Sequence, residues 1–348
     1  MDDLHAELFC DPLSVAGWRH RPILKRVAYT YPELSWTLRP TVAFPDPLDG
    51  DNAITYARDA RQAADVAGLP VDADPLEAGV PSSWAACEGL VAARAADPDG
   101  AMELYHRLSA ATFAGGDPPA TPERIADVAA EVEGLDAGTI RGAIGSRRAT
   151  AALGRDLAIG AEMFDSLDDH GVRGSPGRLR LDARLVGDGV STPAVADPNG
   201  DAEDDEPADE DEADRDGVVP APPAVRITAG KYTVLLDLAQ GYQEFSDVLG
   251  RYDPDMGRDL WKEQRYGRNV IQAYNVGQRT AENLSGENYD EKARRVIEAT
   301  GESFVADVAA CTTLDPDTCR LALRRLAAGS GVESGPHGGW RLPSNRED

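Results

Sequence analysis

The chain has 348 residues and a formal net charge of -26, from 61 acidic against 35 basic side chains. A charge of that sign repels polyanions, which excludes nucleic-acid binding by the molecule as a whole and leaves only a local basic face open. The length allows two ordinary domains, or one with a large extension, and no apolar run approaches the roughly 20 residues of a membrane-spanning helix.

The basic residues are almost all arginine, with lysine only at Lys25, Lys231, Lys262 and Lys292. An acidic surface poor in lysine stays hydrated in concentrated salt, where a Debye length of about 3 Å screens self-repulsion. The composition reads as salt-adapted. The opening Met1-Asp2-Asp3-Leu4-His5 has no basic region followed by an apolar one, so no signal peptide is expected. Cys10, Cys87, Cys311 and Cys319 form no Cys-x-x-Cys and match neither a disulfide framework nor a zinc site. The expected setting is a reducing cytoplasm with inert thiols, no metal and no cofactor.

Residues 6–10 read as a first strand, broken by Asp11-Pro12. From Trp18 to Tyr31 the apolar residues recur at helical spacing, and residues 34–44 alternate as a strand does. A helical stretch follows over about 55–167. Within it Thr121-Pro122-Glu123 is a helix start, Thr as N-cap and Pro at the first helical position. Residues 178–181 suggest a strand. Periodicity is then lost over 186–224, where eleven acidic residues and one Arg fall between Asp201 and Asp216; this reads as an unstructured acidic tether. A hairpin is expected over 225–236, helix over 242–250, and a polar helical segment over 258–300, with Trp261, Tyr266, Ile271 and Tyr274 as packing residues; Trp261, Arg265, Tyr266 and Arg268 form an aromatic–basic patch that packs the segment onto the body or, on a second reading, binds a partner or nucleic acid. Helices are expected at about 289–299, 302–311 and from Asp315-Pro316-Asp317 to Ala328, and a Gly-tipped hairpin ends at Trp340-Arg341-Leu342. Three short helices and a hairpin are the layout of a winged helix-turn-helix.

In this order, residues 6–181 and 224–250 resemble the DsbA-like thioredoxin superfamily, nearest its FrnE-type branch. Asp11-Pro12 stands where the family writes Asp-Pro-x-Cys-x-x-Cys-Trp, the family's Trp falls on Trp18, and Pro22 follows. Ser82-Ser83-Trp84-Ala85-Ala86-Cys87, Phe113-Ala114 and Gly134-Leu135-Asp136 match landmarks of the helical insertion, and Gly171-Val172-Arg173-Gly174-Ser175-Pro176 matches the loop of the family's cis-proline. The resemblance implies an α/β class. A thioredoxin-like domain would cover 1–185 with its insertion at about 55–167, followed by the acidic loop at 186–223. Residues 224–256 would complete the fold, and 257–348 would form a helical extension with a winged-helix-like module.

The two cysteine positions hold Ser14 and Gly17. Thiol–disulfide exchange needs an attacking thiolate and a resolving thiol, and neither Ser nor Gly supplies one. Dithiol oxidoreductase chemistry is therefore not expected. What the resemblance leaves is a groove at Asp11, Trp18, Ser175 and Pro176 for a peptide or protein partner. In relatives such as kappa-class glutathione transferases, a Ser at this position stabilises a bound thiolate; this gives Ser14 a second reading, with a small thiol as ligand and a transferase or isomerase activity. The bland reading makes Ser14 an N-cap. His20 lies in the same helix, read as a surface or partly buried residue, with Asp11 the only group near enough to complete a Ser/His set. In the last segment thirteen basic residues meet fourteen acidic ones between Arg258 and Asp348, and Arg320, Arg324, Arg325 and Arg341 are candidate contacts to nucleic acid or a protein partner.

Overall fold

The computed structural model describes residues 4–168, 178–180, 218–220, 223–229, 232–238, 241–252 and 281–343. Strand β1 (Leu4–Cys10) is central. It pairs in parallel with β2 (Ser35–Pro40), Leu8 opposite Leu38, and antiparallel with β5 (Ala224–Ala229), Leu8 opposite Val225. Strand β6 (Tyr232–Asp237) closes the edge antiparallel to β5, for an order β2-β1-β5-β6. Helix α1 (Val15–Thr30) is the crossover from β1 to β2. Helix α8 (Tyr242–Tyr252) follows β6. A βαβ unit joined to an antiparallel hairpin and a closing helix is the thioredoxin-like layout, so the α/β class and that fold stand on the sheet itself.

A central strand is covered on both faces, which is why β1 is apolar on one and carefully paired on the other. Ala6, Leu8 and Cys10 face the main core with Trp18, Leu24 and Val27 of α1 and Phe245 and Leu249 of α8. Glu7 and Phe9 face the opposite way. Phe9 packs with Ala224, Leu235 and Ile159 of α7 (Arg147–Asp168). Glu7 accepts from Arg39 at 2.7 Å and Arg226 at 2.5 Å. Burial alone would raise its pKa; the two guanidinium groups outweigh that and hold it below the ordinary value. Asp156 of α7 binds Arg39 at 2.9 Å and Arg94 at 2.8 Å, which ties the helix to the sheet.

The expected helical stretch is six separate helices and begins earlier, at Gly50. These are α2 (Gly50–Ala67), α3 (Trp84–Ala96), α4 (Pro98–Phe113), α5 (Pro122–Ala129), α6 (Ala137–Ala143) and α7. Caps punctuate them as the sequence chemistry dictates: Asp97, Thr121 and Asp136 accept from the backbone N–H of Asp99, Arg124 and Thr139 at 3.1, 3.2 and 2.7 Å. Leu90, Leu104, Tyr105, Leu108 and Phe113 join the main core, so the insertion is continuous with the body. Strand β3 (Arg178–Arg180) pairs with β4 (Val218–Pro220), outside the central sheet. The aperiodic stretch thus contains a strand near its end; three residues are too few to show a period.

The last elements are α9 (Ala281–Thr300), α10 (Val305–Thr312), α11 (Pro316–Ala328), β7 (Glu333–Ser334) and β8 (Trp340–Arg341). Ser303, between α9 and α10, bridges Trp340 with N–H···O bonds of 2.9 and 2.8 Å. Val296, Ile297, Val308, Cys311, Cys319, Ala322, Leu323 and Val332 form their own core. This group packs directly against α1, chiefly through α10. The aromatic–basic patch of Trp261, Arg265, Tyr266 and Arg268 lies outside the described residues.

Candidate functional site

The end of β1 feeds a tight turn into α1. Asp11 organises it from the inside: its Oδ1 accepts from Leu13 N at 2.7 Å and its Oδ2 from Ala43 N at 2.6 Å. The side chain has no exposed surface. Burial raises its pKa to about 6, against the opposing hydrogen bonds from Ser83, Ala43 and Leu13. Tyr56 Oη donates to Leu13 O at 2.6 Å, and Ser14 N donates to Asp11 O at 3.0 Å. Asp11 in this structure holds the turn and the start of the segment after β2 together, and it faces no solvent.

Ser14 is the N-cap of α1. Its backbone is extended, with φ -74 and ψ 119, and its Oγ accepts from Gly17 N at 3.1 Å. Only 6% of Ser14 is exposed. The hydroxyl oxygen thereby satisfies one of the free N–H groups of the first turn, that of Gly17. Gly17, where the resemblance places the second thiol, is held small by a neighbour from the insertion. A Cβ at Gly17 would stand 2.9 Å from the hydroxyl of Tyr105, itself fully buried in α4. Tyr105 is a residue that sequence reasoning missed: one tyrosine inside an apolar helix carries no signal of which position it fills.

Trp18 is entirely buried. It stacks on Phe113 with ring centroids 5.5 Å apart, meets Phe304 edge-on at 5.4 Å, and donates from its indole N–H to Pro70 O at 3.2 Å. It works here as a keystone between α1, the insertion and α10. His20 is 9% exposed, deeper than its reading as a surface or partly buried residue. It also stands six residues beyond Ser14, about 9 Å along the helix axis, so the two do not form a catalytic pair. Ser175 and Pro176 lie outside the described residues.

All four cysteines are free and buried. Cys10 and Cys87 are wholly buried, and burial first, then the Asp11 carboxylate, pushes both thiols well above their ordinary value. Cys87 Sγ donates to Thr41 O at 3.4 Å. Cys311 and Cys319 are buried in the second core, their thiols also raised by burial. Such thiols are neutral and unreactive. Among the described residues there is no cluster of His, Cys, Asp or Glu able to hold a metal, and no helix long and apolar enough to cross a membrane.

One polar assembly was not anticipated. The face of α1 that carries Trp18 also carries Arg21 and Lys25, both only 2% exposed. Arg21 binds Asp307 Oδ2 at 2.9 Å, His106 O at 3.0 Å and Glu302 O at 2.7 Å, with its guanidinium 5.1 Å from the Phe304 ring centre. Lys25 donates to Thr300 O and lies 3.8 Å from Glu103. Burial lowers its pKa to about 8, and Arg21 adds to that. Asp307 also accepts from Phe304 N at 2.9 Å. The spacing of Trp18, Arg21 and Lys25 on one helix face beside a core Trp was the available signal that these cations are buried.

The four arginines of the last segment separate. Arg320 pairs with Asp317 and Arg325 with Asp290, both at 2.5 Å. Arg341 is held by Glu333 at 2.9 Å and by Glu131 of the body at 3.4 Å. Arg324 is exposed on α11.

No protein-family model and no curated protein matches the chain. Solved structures similar to it include the following two. One is a provisionally named protein disulfide isomerase from Nitrosomonas europaea, at 13% identity and TM-score 0.46 over 68% of this chain and 89% of that one. The other is the cytosolic disulfide reductase DsbM from Pseudomonas aeruginosa, solved with GSH, at 15% identity and TM-score 0.45 over 75% of this chain and 99% of that one. Likenesses this distant leave the fold resting on the sheet topology described above.

Proposed function

We propose that this chain is a thioredoxin-fold protein that works by binding a peptide or protein partner, without thiol–disulfide exchange. The observation that carries the reading is the pair Ser14 and Gly17: one hydroxyl capping the helix, and one glycine whose side-chain space is filled by the Tyr105 hydroxyl. A relic of a dithiol site would leave room for the second sulfur; this site is repacked. Asp11, Ser14 and Trp18 are buried, so in this reading they support the site from beneath and do not touch the partner. The Ser175-Pro176 loop of the resemblance is the proposed partner contact at this end.

The experiment has two arms. Insulin reduction in molar KCl should be absent in wild type and unchanged by Cys10→Ser; activity abolished by that substitution sinks the non-redox reading. A photo-crosslinker at position 175 should capture a polypeptide, and Pro176→Ala should lose it. Capture that is indifferent to Pro176 removes this groove from the proposal.

A further inference from the structure

Among the described residues, helix α11 turns one face inward and leaves the other uncovered. Cys319, Ala322 and Leu323 fill the second core, and the helix packs against α9 and α10, away from the body. Arg320, Leu321, Arg324 and Arg325 point outward, with Leu321 56% exposed. From Thr318 to Val332 the chain has three arginines and no carboxylate, within a protein whose acidic residues outnumber basic ones 61 to 35. Arg325 is tied to Asp290 and Arg320 to Asp317 within its own helix, whereas Arg324 makes no ion pair among the described residues.

We propose that this face of α11 docks an acidic amphipathic helix of a partner protein, an apolar side chain covering Leu321 and carboxylates meeting Arg320 and Arg324. The inference rests on the reading that the chain works by binding a polypeptide, and it adds a second contact with a stated chemistry. A single exposed leucine is ordinary. Bracketed at i-1 and i+3 by arginines, it offers the mixed apolar and cationic stripe that reads a helix of opposite charge.

A nucleic-acid duplex fits less well. Asp315 and Asp317 stand at the leading end of α11, where a phosphate backbone would pass. The hairpin that would reach a second groove is already engaged with the body. A Cβ on Gly115 would stand 2.6 Å from His337 Nδ1, and Arg341 is held by Glu131. Glycines 335 and 339 close over the buried Glu302 carboxylate, where a Cβ on either would run into Oε1.

The test uses the full chain and three labelled probes: a helical peptide with Leu and Glu at amphipathic spacing, poly-Glu without leucine, and a mixed-sequence DNA duplex. Anisotropy is read at the lowest KCl at which circular dichroism shows the native signal. The Leu/Glu peptide should bind, with poly-Glu weaker. Arg324→Glu and Leu321→Asp should each weaken it by about tenfold or more, since truncating or reversing an interface anchor costs that order. Val66→Asp, an exposed apolar position on α2, should leave it unchanged. No peptide binding, or binding indifferent to both α11 variants, overturns the inference. Duplex binding that displaces the peptide and is lost in Arg324→Glu also overturns it and makes the face a nucleic-acid site. Pro176→Ala, titrated in parallel, separates the two proposals: it removes the proline that the first proposal names and changes no residue of α11.

Discussion

Restoring a cysteine at position 17 should fail for a reason that can be isolated. Gly17→Cys places a Cβ 2.9 Å from the Tyr105 hydroxyl and a sulfur beyond it. Both groups are buried and α4 is packed on its other sides, so neither moves freely. Overpacking of this kind costs about 1–3 kcal/mol. Tyr105→Phe removes the obstructing oxygen and little else, at a cost of about 1 kcal/mol for its hydrogen bonding. The two changes should therefore be coupled: Gly17→Cys in the Tyr105→Phe background should be clearly less destabilising than in wild type, with an interaction energy of about 1 kcal/mol or more. Urea unfolding of the four proteins of the cycle, in molar KCl under reducing conditions, reads it directly. With Ser14→Cys added, only the protein that also carries Tyr105→Phe should close a disulfide, seen as the loss of two free thiols. An interaction energy near zero, or equal disulfide formation in both backgrounds, refutes the claim that Tyr105 occupies the second thiol's place.

Three further outcomes are expected. Asp307→Ala should cost about 3–5 kcal/mol in urea unfolding, because it strands buried Arg21, and Arg21→Met combined with Asp307→Leu should recover most of that. Asp11 has a folded pKa raised to about 6 from 3.8, so the native state binds the extra proton between those values and stability falls as pH rises through the window. Asp11→Asn should flatten that part of the stability–pH curve, and an unchanged slope would show that another group carries it. A thermal-shift panel of small thiols, glutathione included, should move wild type and Ser14→Ala alike, since only 6% of Ser14 is exposed to a ligand; a thiol-specific shift lost in Ser14→Ala would restore the transferase reading.

The βαβ opening, the later hairpin with its helix, and the helix caps were legible because each is written locally: a short apolar strand, Asp-Pro at its end, helical spacing after it, and Asp or Thr before a Pro or a polar turn. That positions 14 and 17 hold no cysteine was legible for the same reason, since Ser14 and Gly17 are single letters. The breaks at Thr121 and at Gly134-Leu135-Asp136 were legible as well, but the insertion's full division into six helices was not, because alanine-rich stretches show little periodicity. Burial of Arg21 and Lys25 was hidden by their charge; their partners Asp307, Thr300 and Glu302 lie far along the chain and match no motif. The occupation of Gly17's space by Tyr105 is purely tertiary, eighty-eight residues away in sequence.

The clasp between α1 and α10 sets a timetable for synthesis. Arg21 meets Asp307 across 286 residues. At about 5–20 residues per second a ribosome takes roughly 15–60 seconds to supply that partner. Throughout that interval the helix laid down among the first elements leaves open the side on which Arg21 and Lys25 will meet Asp307 and Thr300. The central sheet itself waits for β5, so the early chain can form the β1–α1–β2 unit and the insertion but cannot seal either face of α1. Fragments ending before α10 should associate through that open face and become soluble when residues 281–343 are supplied as a separate chain.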